Sequence, residues 1–180
     1  MINQLIAIFW LGFVVYWLVS ARGVKRSLGN NTRAVWFRIS GVILILLIFQ
    51  AGGFRRYEFI PSEAMRIAGL ILMMLGFAFA IWARIHLGRN WGMPMSRKQE
   101  PELVTSGPYA LVRHPIYSGI LLAVLGTALA EGLFLSIFFI FLFIYFLYSA
   151  KKEEKIMTEL FPGQYPAYKR RTTMLIPFIL

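Results

Sequence analysis

Thirteen consecutive residues, Gly107-Pro-Tyr-Ala-Leu-Val-Arg-His-Pro-Ile-Tyr-Ser-Gly119, gather an arginine, a histidine, two tyrosines, two prolines and two glycines just ahead of an apolar run. Proline restricts its predecessor to extended geometry, so Gly107 and His114 are predicted to lie outside helix. Pro115 suits the first turn of the helix that follows. Arg113 and His114 then stand at the positive end of a helix dipole beside free backbone N–H groups, a setting that favours a ligand carboxylate or phosphate. Tyr117 and Gly119 fall on the first turns of that helix, where the glycine permits close approach of a ligand or of another backbone. A lone arginine before a membrane span snorkels to phosphates, but that does not explain the whole cluster, because ionisable groups at a bilayer are costly unless they are paired or working.

Two further constellations could complete a site. Glu153 and Glu154 follow Lys151 and Lys152. Alone they read either as a solvated charge patch or as an anionic pocket for a ligand ammonium or sulfonium. Adjacent helical residues point about 100° apart, so only one of the two is expected to face such a pocket. The stretch Ile81–Gly92 places Trp82 and Trp91 as interfacial aromatics and Arg84 and His86 as flanking residues, with Arg89 and Asn90 able to close a pocket. The chain has no cysteine, which excludes disulfides and thiolate catalysis. Two histidines and eight carboxylates, all glutamate, argue against a dedicated metal site.

The elements that must position these residues are membrane helices. Apolar residues make up 58% of 180, and crossing ~30 Å of hydrocarbon takes about 20 of them. Five runs qualify or nearly so: residues 2–19, 35–50, 65–83, 116–130 and 133–150. The last two are broken only by Glu131-Gly132 and are predicted to form a helical hairpin. No basic region precedes the first run and no small-residue cleavage pattern follows it, so it is expected to be a retained helix. From residue 150 to 171, apolar residues at four-residue spacing (Ile156 with Leu160, Met157 with Phe161) predict an amphipathic helix that continues the fifth span and ends near Pro162-Gly163. The fold class is therefore all-α: about five transmembrane helices in a single domain, with residues 1–80 as the first spans and 81–180 as the ligand-binding half. The last six residues are apolar but too short to span, and are expected to dock or to dip into the interface. Of the 19 Lys and Arg, 16 flank the first span's end, the third span's end and the tail. The positive-inside bias puts the N-terminus outside and the C-terminus in the cytoplasm; if the host is prokaryotic, the expected membrane is the plasma (inner) membrane. The net charge of +11 is thus topological, and no nucleic-acid partner is expected.

The run Gly107-Pro-Tyr-x-x-Val-Arg-His-Pro-x-Tyr-x-Gly119 resembles the signature of the isoprenylcysteine carboxyl methyltransferases and the related membrane phospholipid methyltransferases. The resemblance extends from Ala83-Arg84 … Leu87-Gly88-Arg89-Asn90-Trp91 to Glu153-Glu154 … Phe161 … Tyr165 … Tyr168 … Arg171 … Pro177. Two departures stand out: Pro162 follows the tail Phe where the family usually has Gly, and Lys151 and Lys152 stand where some members carry arginine. The resemblance implies a small helical membrane enzyme that uses S-adenosylmethionine without a Rossmann domain, binding it between the Arg113-His114-Pro115 region and the tail. The acceptor it implies is lipophilic: a prenylcysteine-like carboxyl, or another lipid carboxyl or amine.

On that basis Arg113 and His114 are expected to hold the cofactor carboxylate, and Glu153 or Glu154 its ammonium. Tyr109, Leu111, Val112 and Tyr117 are expected to wall the adenosine, with Pro115 and Gly119 shaping the helix start. Arg170 or Arg171 would orient an anionic acceptor, and Glu154 would serve as base for an amine. A carboxylate acceptor is already ionised at neutral pH and requires no base. Competing classes are a sterol-type reductase, which carries a related Arg-His-Pro-x-Tyr pattern with a nicotinamide cofactor, and a non-enzymatic membrane scaffold.

Overall fold

The computed structural model describes residues 2–20, 27–28, 60–91, 97–98, 102–132 and 135–179. The run at 35–50 lies outside them. Among the described residues the fold is helical: α1 (Ile2–Ser20), α2 (Glu63–Leu87), α3 (Pro115–Glu131), α4 (Leu135–Leu160) and α5 (Gln164–Arg171). Single 3-10 turns follow α2 (Gly88–Asn90) and precede α3 (Gly107–Ala110). One minimal ladder that the helical reading did not include, β1 (Ser27–Leu28) against antiparallel β2 (Arg97–Lys98), joins two connections.

Helices α1, α2 and α4 are long and apolar enough to cross a membrane, and α3 is a shorter apolar helix of 17 residues. Their ends follow local chemistry. Ser62 caps α2 by accepting a hydrogen bond from the Met65 amide at 3.3 Å, with Glu63 in the first turn. At the other end Gly88 adopts φ 54°, a left-handed geometry that glycine tolerates. The hairpin tip lies where Glu131-Gly132 predicts it, since α3 stops at Glu131 and Gly132 takes φ 139°. The predicted amphipathic tail continues α4 without a break to Leu160, and a turn through Pro162 and Gly163 leads into α5.

α2 and α3 make the closest contact in the bundle. Each carries two glycines seven residues apart, Gly69 with Gly76 and Gly119 with Gly126, and these face one another across the pair. A Cβ on Gly119 would lie 2.6 Å from the Ala80 amide nitrogen and 2.7 Å from the Gly76 carbonyl oxygen, so the helices touch backbone to backbone. Small residues suit such contacts in membranes because dispersion at short range replaces the missing hydrophobic drive. The close approach that Gly119 permits is therefore that of a helix, not of a ligand. On the outer side of α2, Phe13 of α1 stacks on Phe77 at 4.5 Å, and Trp10 Nε1 donates to Thr127 Oγ1 of α3 at 3.0 Å.

Gly119→Ala should separate α2 from α3 and cost about 1–3 kcal/mol, read as a lower melting temperature in detergent. Gly12 has open space around its Cα, so Gly12→Ala should leave melting unchanged or raise it slightly. Equal effects of the two would remove the packing role assigned to Gly119.

Candidate functional site

The α2–α3 contact sets the start of α3 beside the end of α2, and two neighbours in sequence diverge there. The Arg113 guanidinium is buried. Its Nε donates to Glu154 Oε1 of α4 at 2.5 Å, and its Nη1 donates to the carbonyls of Lys169 and Thr172. Glu154 is 3% exposed and also receives Lys169 Nζ on Oε2 at 2.7 Å. Arg113 and Glu154 were expected to take opposite ends of a ligand, but they neutralise each other. A buried carboxylate beside a buried guanidinium is far better paired than left open.

The tail completes this clamp. Val112 forms a parallel bridge with Thr173, the Arg113 amide donates to the Thr173 carbonyl at 2.9 Å, and the His114 amide donates to Met174 at 3.1 Å. Ser118 Oγ donates to the Leu175 carbonyl, and Tyr168 Oη donates to the Tyr109 carbonyl at 2.6 Å. The N-terminal amides around α3 are thus engaged partly by the chain's own tail.

His114 and Glu153 line a cavity of about 320 Å³ together with Arg113, Tyr109, Tyr117, Tyr165 and Tyr168. Tyr117 Oη donates to Glu153 Oε1 at 2.5 Å, and its ring stacks between His114 (5.5 Å) and Phe146 (4.3 Å). His114 Nδ1 lies 3.6 Å from Glu153 Oε2. Its Nε2 is 3.8 Å from Glu154 Oε1, beyond hydrogen-bond reach, and is buried with no hydrogen-bond partner among the described residues. Burial alone would lower the imidazole pKa. The neighbouring Glu153 and Glu154 carboxylates outweigh it, so His114 holds its proton to higher pH than a free imidazole. Burial also raises the Tyr109 and Tyr165 phenols, which stay neutral.

Several predicted residues stand elsewhere. Leu111 is 48% exposed and outside the cavity lining, and Val112 is fully buried behind it. Pro115 is buried at the first turn of α3, as helix geometry favours, and also does not line the cavity. Arg170 and Arg171 are exposed on α5, away from the lining. Arg84 is not a solvated flank. It is 6% exposed, donates to the Ser20 and Gly88 carbonyls and sits 4.7 Å over the Trp91 ring. His86 does face outward and meets Ser106 Oγ at 2.9 Å. Asn90 lines the cavity and donates to Glu102 Oε2 at 3.0 Å, while the Arg89 side chain lies outside the described residues.

A model of the phospholipid methyltransferase family matches residues 64–164. The chain belongs to that family. It is 31% identical over 163 residues to the cobalt-zinc-cadmium resistance protein CzcN of Cupriavidus metallidurans, covering 86% of this chain and 69% of the relative. It is 30% identical to protein-S-isoprenylcysteine O-methyltransferase B of Arabidopsis thaliana over 62% of this chain and 58% of that protein. A solved structure of the eukaryotic intramembrane Ras methyltransferase ICMT (isoprenylcysteine carboxyl methyltransferase) shares the fold with a TM-score of 0.59 at 22% identity, over 84% of this chain and 55% of that one. The chain thus spans between 55% and 69% of these three proteins. The resemblance read from the Gly107–Gly119 motif is borne out, and the protein is an integral membrane protein.

The matched region contains the motif and the glutamate pair, whereas Trp17 of α1 and Tyr165 and Tyr168 of α5 lie outside it yet wall the same cavity. Trp17 had no sequence signal beyond its place in an apolar run. Glu102, Leu103 and Val104, in the connection ahead of the motif, also line the cavity. Among the described residues no group of three or more potential metal ligands occurs.

Because Glu154 compensates Arg113 and Glu153 does not, Glu154→Ala should lower stability by about 3–5 kcal/mol, and Glu153→Ala by about 1 kcal/mol. Detergent melting curves of the two variants check this. Equal losses would contradict the division of roles between the adjacent glutamates.

Proposed function

We propose that the protein is an S-adenosylmethionine-dependent methyltransferase that acts on a lipophilic acceptor within the membrane. The observation that carries this is the pairing, on one aromatic-walled cavity, of His114, whose Nε2 lacks a hydrogen-bond partner among the described residues, with the Glu153 carboxylate. Such a cradle fits a zwitterion: the imidazolium Nε2–H suits a carboxylate, and Glu153 suits an ammonium. Tyr109, Tyr165 and Tyr168 offer flat, neutral walls for a heterocycle. When bound, the cofactor supplies an electrophilic methyl group on a sulfonium.

This chain's residues would bind, orient and exclude water. Arg113 acts as a positioning residue, fixing the start of α3 so that His114 faces the cavity, with Glu154 as its counter-charge. Ile116, Ile120 and Phe146 give the cavity an apolar flank suited to a lipid tail. The names of the isoprenylcysteine methyltransferase relatives support a carboxyl on a prenylated thiol as one acceptor class. A carboxylate needs no base, whereas for an amine acceptor Glu153 and Glu102 are the carboxylates that line the cavity.

The proposed topology has five spans, the one near residues 35–50 included, with the N-terminus outside and the C-terminus in the cytoplasm. The cofactor then enters from the cytosol and the acceptor from the bilayer. Residues 1–180 form one domain whose second half, 81–180, contributes most of the binding groups, with Trp17 as the contribution of α1 to the cavity.

Incubation with labelled S-adenosylmethionine and a membrane lipid extract should yield a labelled, organic-extractable product. Calorimetry should show binding that weakens about tenfold or more in His114→Gln or Glu153→Gln. Wild-type affinity in both variants would overturn the assignment. The sign of the pH effect follows from His114. Its proton is present below the ordinary imidazole range and is lost as pH rises through its elevated pKa. Affinity should therefore fall on the alkaline side, and His114→Gln should flatten that fall.

A further inference from the structure

A second site lies on the outer side of the Glu154 clamp. Lys151 and Lys155, one turn apart on α4, and Lys169 of α5 surround a shallow surface depression, with Thr158 and Met174 at its edges and the Glu154 carboxylate in its floor. That carboxylate is already held by Arg113 and Lys169. Charge is sorted across this part of the fold. Glu154 is buried and Glu153 faces the cavity, while Lys151, Lys152, Lys155, Lys169, Arg170 and Arg171 are all exposed. Glu159 is the acid left on the outer surface of the segment.

Apolar groups accompany these cations. Lys152 Nζ stands 4.6 Å over the half-exposed Tyr148 ring, an amphipathic pairing suited to a membrane–water boundary. Beyond Met174, Leu175 is anchored at 1% exposure, after which Phe178 and Ile179 project at 95% and 80% exposure. In water such a tip is unfavourable, whereas beside cations at a bilayer surface it inserts.

We propose that the Lys151–Lys155–Lys169 depression binds the phosphate of an anionic phospholipid headgroup, with the Phe178–Ile179 tip seated in the acyl boundary beside it. Lysine is a point-charge partner for phosphate and is drawn to an anionic surface. The apolar tip commits the site to a lipid, because a free phosphate gains nothing from it.

The test uses the full chain in neutral detergent, with melting followed by tryptophan fluorescence. Phosphatidylglycerol should raise the melting temperature by about 2–4 °C, while phosphatidylcholine and inorganic phosphate at equal concentration should not. Lys151→Gln/Lys155→Gln should lose at least half of the rise. An equal rise with phosphatidylcholine, a rise with phosphate alone, or an undiminished rise in the double variant would each overturn the proposal. Should the double variant fail to fold, Phe178→Cys gives the chain its sole thiol for a spin label in phosphatidylglycerol bilayers. Greater accessibility to oxygen than to a water-soluble nickel chelate supports the seated tip, and the reverse overturns it.

Discussion

A carboxylate buried at the boundary of a membrane bundle must be neutralised or it will not stay there, and the structure depends on how Glu154 meets that constraint. Arg113 reaches it from the start of α3 and Lys169 from α5, while Arg113 also donates to the Lys169 and Thr172 carbonyls. Two helices, the turn before α3 and the tail are thereby joined through one side chain. The tail then lies along residues 112–114 through main-chain hydrogen bonds that a mobile segment could not keep. The glycine faces of α2 and α3 supply the other half of the frame, because they hold the start of α3 against the end of α2 at backbone contact.

From this follows a division of labour that helix geometry makes unavoidable. Two consecutive residues on or near a helix cannot point the same way. The pair 113–114 meets the pair 153–154 so that Glu154 turns into the clamp and His114 and Glu153 into the cavity, while Arg113 pairs with Glu154 and also lines the cavity. The ion pair Arg113–Glu154 is structural in the sense that its charges satisfy each other, while His114 and Glu153 remain beside open space. The clamp also perturbs the cavity, since Glu154 together with Glu153 holds the imidazolium proton that burial would otherwise remove.

Much of this was legible in the sequence. Three of the five apolar runs appear as long helices, the hairpin break falls at Glu131-Gly132, and the tail helix ends at Leu160 as its periodicity requires. The motif located the site because its prolines and glycines fix backbone at positions that hydropathy alone leaves undefined. What sequence could not assign was partnership. Arg113 is suited both to a ligand carboxylate and to a glutamate 41 positions away, and only the packing of α3 on α4 decides between them. Gly119 was similarly ambiguous between ligand and helix, and its partner Gly76 becomes visible only once the antiparallel register of α2 and α3 is known. Leu111 and Val112 alternate outward and inward in a way set by the bridge to Thr173, a contact between segments about sixty residues apart.

The walls of the cavity follow a different logic from its polar end. The family match covers 64–164 and includes His114, Tyr117 and Glu153, yet Trp17 comes from before it and Tyr165 and Tyr168 from after it. A zwitterionic group requires fixed donors and acceptors at fixed separations, which the α2–α3–α4 core can supply. A lipophilic group requires only shape, and shape is readily changed by aromatic residues on flanking helices that carry no buried charge. Trp17 meets Trp91 edge-on at 5.7 Å, and Trp91 in turn lies under Arg84. The α1 wall is therefore tied to the end of α2 rather than to the ion pair. The polar end and the α1 wall are thus anchored independently, so substitution at Trp17 can reshape the cavity without releasing Arg113 or Glu154 from each other.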